Sequence, residues 1–278
     1  MIITVASGKG GTGKTTVATN LAVSLSDGVQ LLDCDVEQPN AHLFIKPEIT
    51  LSEEITTVVP EVDLDKCDSC GKCGEICQFS AITVLAGYVL TFPELCHSCK
   101  GCMMVCPKEA ILEKGRQLGV LEKGVAGSLD FIHGCLRITE AMSPPLITAV
   151  KEHADPNKTV IIDAPPGTSC PVIATLKGSD FVLLVTEPTP FGLNDLKLAV
   201  GAVRILKIPM GIVINRSDAG DDGVSRYAKE EGIPVLMEIP DDRKIAEAYS
   251  RGIMMVDAFP EMREKFQDLY NKIRQFTK

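Results

Sequence analysis

Short, unbroken apolar runs separated by segments of helical spacing set the rhythm of this chain. Ile2 to Ala6 is such a run, Gly8 to Gly13 a glycine-rich turn after it, and Thr15 to Ser26 carries Val17, Leu21 and Leu25 on one helical face. Val29 to Asp33 is a second run that ends in carboxylates. The rhythm resumes at Val160 to Asp163, Phe181 to Thr186, Gly211 to Asn215 and Pro234 to Ile239, with helical segments around 192–206, 221–231 and 242–251. Runs without polar alternation predict strands covered on both faces, so the expected fold class is α/β, a doubly wound, mostly parallel sheet.

Elsewhere the pattern is weaker. Glu37 to Thr50 reads as loop, Gly119 to Arg137 as a hairpin with a weak alternation, and Pro144 to His153 as a helix started by Ser143. Near the end, Met262, Phe266, Leu269, Ile273 and Phe276 share one helical face, whose polar flank (Arg263, Glu264, Asp268, Lys272) is mixed in sign. That mixture favours core packing over a membrane anchor. From Pro60 to about Lys114, cysteine, glycine and acidic residues replace the aliphatic runs. The expected organisation is therefore a host domain of residues 1–60 and 115–278 and an insert of residues 61–114.

Composition narrows the classes. At 278 residues and 45% hydrophobic the chain can bury a large core, and a formal charge of -9 argues against nucleic-acid binding by counterion release. No apolar run approaches the roughly 18 residues of a spanning helix, and Met1 to Ala6 lacks the basic start of a signal peptide. The expectation is a cytoplasmic protein without stable membrane insertion, in which eleven cysteines mean metal rather than disulfides.

Eight of those cysteines fall into two runs of one spacing, Cys67-x-x-Cys70-x-x-Cys73-x-x-x-Cys77 and Cys96-x-x-Cys99-x-x-Cys102-x-x-x-Cys106-Pro107. One C-x-x-C pair alone is as well explained by structural zinc or a disulfide, but two such runs exceed what a tetrahedral zinc site uses. They follow the ligation pattern of two-cluster ferredoxins, in which the fourth cysteine reaches across to the other cluster. The expected sets are Cys67, Cys70, Cys73 and Cys106 for one [4Fe-4S] cluster, and Cys96, Cys99, Cys102 and Cys77 for the second. Ser69, Gly71, Gly74, Ser98 and Gly101 let backbone N–H groups approach the sulfurs. Gln78 follows Cys77 where Pro107 follows Cys106, a departure that removes no ligand.

Gly8-Lys9-Gly10-Gly11-Thr12-Gly13-Lys14-Thr15 satisfies the P-loop pattern between a strand and a helix. Backbone N–H groups of Gly10 to Thr16 would face phosphate oxygens, Lys14 would reach the β- and γ-phosphates, and the Thr15 hydroxyl would ligate Mg2+. The second lysine, Lys9, with Asp33-Cys34-Asp35 and Asn40, and with Asp163-Ala164-Pro165-Pro166-Gly167, resembles the deviant P-loop family of MinD, ParA, Mrp and the nitrogenase iron protein. The likeness is greatest to MinD-like ATPases that carry an inserted ferredoxin module.

That resemblance implies an ATPase, slow without a partner, that dimerises on ATP. Lys9 would cross the dimer interface to the partner's nucleotide, Asp35 would orient the attacking water, Asp163 would hold Mg2+ through water, and Asp33 would support the metal shell. Asn215 and Pro240-Asp241-Asp242 look like the base-contacting elements. Cys135 and Cys170 lie at offsets resembling the paired cluster cysteines of the nitrogenase iron protein, against the plain reading of free thiols, and Cys34 is expected to point into the sheet. Three functions follow: an ATP-gated electron donor to a redox client, a carrier or assembly ATPase for iron-sulfur or related clusters, and a positioning ATPase with a redox-sensing insert. Four-thiolate ligation does not release a cluster readily, which puts electron transfer first.

Overall fold

The computed structural model describes residues 1–25 and 27–277. Two compact units divide them, one of Met1–Glu53, Leu121–Cys135 and Ile147–Lys278, the other of Glu54–Val120 and Leu136–Leu146. In the first, β1 (Ile2–Ala6) leads through the glycine turn into α1 (Lys14–Ser24), followed by β2 (Val29–Asp33) and the one-turn α2 (His42–Ile45). β3 (Glu48–Val62) carries the chain into the second unit, which holds α3 (Lys72–Ile76), the hairpin β4 (Ile82–Leu85) and β5 (Tyr88–Thr91), and α4 (Gly101–Met104). β6 (Ile111–Ala126) returns, and Gly127 and Ser128 turn it into β7 (Leu129–Leu136).

The remaining elements alternate: α5 (Pro144–Lys151), β8 (Thr159–Asp163), α6 (Cys170–Leu176), β9 (Phe181–Thr186), α7 (Pro190–Leu206), β10 (Met210–Asn215), α8 (Gly223–Glu230) and β11 (Val235–Ile239). Three helices close the chain, α9 (Arg243–Ser250), α10 (Met255–Ala258) and α11 (Glu261–Ile273). The strands line up as β11-β10-β9-β1-β8-β2-β7-β6-β3. Pairing is parallel from β11 to β7, and the two-residue turn makes β6 antiparallel to β7.

Why the apolar runs show no polar alternation is visible in β9. Phe181, Leu183 and Val185 enter one core, with Val17 and Leu21 of α1 and Phe266 and Leu269 of α11. Val182 and Leu184, pointing the other way, enter a second core with Val172 of α6 and Leu196 and Val200 of α7. The sheet is thus covered on both faces, and the terminal helix is a core element. Truncating Phe266, which is fully buried, to alanine is expected to cost about 3–5 kcal/mol. The check is a fall in the urea midpoint at unchanged slope.

Several boundaries differ from expectation. Glu37 to Thr50 is not all loop, because α2 forms at His42–Ile45 and β3 begins at Glu48; residues 48–54 are exposed, so only Ile49 and Leu51 mark their strand. The hairpin starts at Ile111 rather than Gly119 for the same reason, since Leu112 to Gly115 are exposed. The apolar face of α11 is buried through Ile273, while Phe276 is exposed. The expected first helix is described to Ser24, and its last residue, Ser26, lies outside the described residues. The short α6 and α10 carried too few residues to show a period. Among the described residues no helix is long and apolar enough to cross a membrane.

Candidate functional site

Parallel pairing of β1, β8 and β2 brings their C-terminal ends to one edge of the sheet, the place where such sheets hold ligands. The glycine loop follows β1, Asp33 ends β2, and Asp163 ends β8. Lys14 Nζ lies 3.0 Å from Asp163 Oδ1 and 3.4 Å from Asp35 Oδ2, and the Thr15 hydroxyl donates to Asp163 Oδ2 at 2.5 Å. These four side chains are all buried. Burial alone would lower the Lys14 ammonium, but Asp163 and Asp35 outweigh it and its pKa stands above the ordinary lysine value. Burial raises the Asp35 carboxyl, with Lys14 pulling the other way.

Asp33 has a different set of partners. Its Oδ1 accepts from the Asp35 N–H, and its Oδ2 accepts from the N–H groups of Asn40 and Ala41 at 3.1 and 3.0 Å. Burial, reinforced by Asp163, pushes its pKa up to about 8. Both oxygens are engaged in pinning the segment 35–41, a loop-anchoring task that the spacing of the carboxylates did not reveal.

A cavity of about 370 Å³ opens beside this cluster and collects Gly10, Gly11, Gly13, Lys14, Thr15, Thr16, Asp35 and Asn40 with Asn215, Pro240, Asp241 and Asp242. Residues separated by some 200 positions are thereby united around one space of small-ligand size, about 300–1,000 Å³. Asn215 Nδ2 donates to the Thr12 carbonyl at 2.9 Å, tying β10 to the loop. Ile245, Tyr249 and Met255 complete the wall; sequence reading missed them because α9 and α10 carry no motif. Lys9 stands apart from the cavity lining, paired with Glu187 at 3.4 Å and one-third exposed. Gly13 has φ +90°, and a Cβ there would come within 2.4 Å of Asn215 Nδ2. Gly13→Ala is expected to weaken ATP binding about tenfold or more, equivalent to about 1.4 kcal/mol, in a fluorescent-nucleotide titration.

In the second unit the eight run cysteines line two separate cavities. Cys67, Cys70, Cys73 and Cys106 border one, and Cys77, Cys96, Cys99 and Cys102 the other. The surroundings repeat: Ser69 and Ser98 N–H groups donate to Cys67 and Cys96 Sγ at 3.4 Å, and Ala81 and Ala110 N–H groups to Cys77 and Cys106 Sγ at 3.3 Å. Ser69 and Ser98 share a left-handed φ of 56° and 57°, as do Gly71 and Lys100 ahead of α3 and α4. Burial raises Cys73 and Cys102, whereas at Cys77 the N–H groups of Phe79 and Ala81 overcome burial and lower the thiol. Among the described residues no three His, Cys, Asp or Glu side chains converge on a single-ion site. Of the other cysteines, Cys34 is fully buried and its thiol pushed up, while Cys135 and Cys170 are exposed.

Residues 3–256 match the CobQ/CobB/MinD/ParA nucleotide binding domain, CbiA. The chain belongs to this family. It is accordingly a nucleotide-binding P-loop ATPase of the MinD/ParA type. An uncharacterized protein of Methanocaldococcus jannaschii is 33% identical over 281 residues, covering 99% of this chain and 97% of that one. A Pyrococcus horikoshii protein named iron-sulfur cluster carrier protein is 27% identical over 304 residues, covering 98% and 86%. In fold, the chain is similar to the septum site-determining protein MinD of Pyrococcus horikoshii complexed with Mg-ADP, with TM-score 0.58, 21% identity and coverage of 98% and 95%.

Proposed function

We propose that this MinD/ParA-type ATPase carries two [4Fe-4S] clusters on residues 61–114 and couples ATP turnover in an ATP-dependent homodimer to electron transfer with a partner protein. The observation that carries this reading is the sorting of the eight thiolates into two cavities, each completed by the fourth cysteine of the other run. Backbone N–H groups aimed at Cys67, Cys77, Cys96 and Cys106 are what a reduced, more negative cluster needs for stabilisation. A bound cluster supplies one-electron chemistry, and the protein's part is to hold it and set its potential.

At the nucleotide site the donors suit a hard cation. Thr15 hydroxyl and Asp163 carboxylate, 2.5 Å apart, are oxygen ligands of the type Mg2+ takes. Asp33 keeps segment 35–41 in place through its three backbone N–H partners and supports the metal shell behind Thr15 and Asp163. Lys14 leaves Asp163 and Asp35 for phosphate oxygens, which frees the Asp35 carboxylate to orient water. Phosphate therefore trades places with carboxylates at Lys14. The insert lies in the chain between Asp35 and Gly167, so a change in those segments on hydrolysis reaches it through β3 and β6.

A second reading is supported by relatives named iron-sulfur cluster carrier protein: ATP turnover loads or releases a cluster on a client. The deciding experiment measures ATPase rate and cluster oxidation state together, anaerobically, with and without candidate clients. Electron transfer requires that the rate change with client in one oxidation state only. Passage of iron to an iron-free acceptor on ATP addition, with no dependence on oxidation state, selects the carrier.

A further inference from the structure

The second unit has a groove of about 460 Å³ that belongs to neither thiolate set. Its position is the informative part. Val62 and Val89 form its wall and also the wall of the Cys67 cavity, while Pro60 is shared with the Cys96 cavity. One layer of side chains thus separates the groove from each set of four cysteines.

The groove also has a charged end. Arg116, only 9% exposed at its side chain, pairs with Glu140, and the same carboxylate accepts from the Met142 N–H. The Nε of this fixed guanidinium has no hydrogen-bond partner. Arg137, 43% exposed, reaches the shared Glu140 only at 3.9 Å. Lys114, also at the groove, is neutralised by Glu61 at 2.5 Å. With Glu140 serving two arginines, Arg137 is the cation left for a ligand, in a chain whose formal charge is -9.

We propose that this groove binds a small anionic electron carrier, with its charged end on Arg137 and its body against Pro60, Val62 and Val89. The inference rests on the reading that the thiolates hold clusters. Each electron the carrier gives up reduces one cluster by one, and its protons pass to water. A volume of about 460 Å³ suits a small molecule better than a folded protein surface.

The test uses anthraquinone-2,6-disulfonate as probe, titrated calorimetrically into anaerobically purified protein with saturating ADP occupying the nucleotide site. One saturable site is expected, weakened about tenfold or more by Arg137→Glu and restored by Arg137→Lys. Thr91→Trp fills the groove without changing its charge and must weaken binding as much, with an unchanged thermal midpoint showing that the unit is folded. Equal affinity in wild type, Arg137→Glu and Thr91→Trp overturns the proposal, as does the lack of saturable binding. Displacement of the dye by a glutamate-rich peptide that binds more tightly overturns it in favour of a protein segment. Iron is assayed on the same samples: iron-loaded protein that ignores the dye sinks the groove alone, and iron-free protein sinks the cluster reading.

Discussion

Replacing Cys106 with serine is expected to remove the cluster of Cys67, Cys70 and Cys73 and to leave the cluster of Cys96, Cys99 and Cys102 in place. Iron falls from roughly eight atoms per chain to roughly four, the content of one cubane. Cys77→Ser has the mirror effect. The prediction separates crossed from sequential ligation, because a cysteine that served its own run would damage the other site. Double variants sharpen it: Cys106→Ser with Cys67→Ser loses no more iron than either alone, whereas Cys106→Ser with Cys96→Ser loses both clusters. The structural reason is that Cys106 lines the cavity of the first run and Cys77 that of the second. Wild-type protein that binds zinc in place of iron, or a Cys106→Ser plus Cys96→Ser variant that keeps half its iron, ends the proposal.

Much of the fold was legible because burial on two faces writes a simple signature. β1, β2, β8, β9, β10 and β11 are continuous aliphatic runs, and each falls within one or two residues of where its run predicts. What could not be read has equally physical causes. β3 is exposed over much of its length, so its period is carried only by Ile49, Leu51 and Ile55, broken at Glu53. The walls contributed by Ile245, Tyr249 and Met255 come from helices chosen by packing rather than by motif. At the nucleotide site, residue type announced Lys14, Thr15, Asp35 and Asp163, whereas the task of Asp33 depended on where the N–H groups of Asn40 and Ala41 point. Spacing names candidate groups; only geometry shows what already satisfies them.

Lys9→Ala is expected to abolish ATP-dependent dimerisation and lower ATP turnover about 10³-fold, while ATP affinity changes less than about twofold. A cation delivered in trans to a transferring phosphoryl group is worth on that order. The contrast with Lys14 carries the argument. Lys14 is buried and lines the nucleotide cavity, paired with Asp35 and Asp163, so Lys14→Ala removes affinity and turnover together. Lys9 is outside that lining, one-third exposed, and among the described residues its ammonium pairs with Glu187 at 3.4 Å, itself shared with Arg216 at 3.0 Å. Glu187 already answers Arg216, so phosphate charge on a second copy can draw the one-third exposed Lys9 away. Light scattering after size-exclusion chromatography, with ATP in an Asp35→Ala background to block hydrolysis, reads the dimer directly. If Lys9→Ala dimerises there as fully as the parent, Lys9 is a local partner of Glu187 and ATP does not join two copies through it.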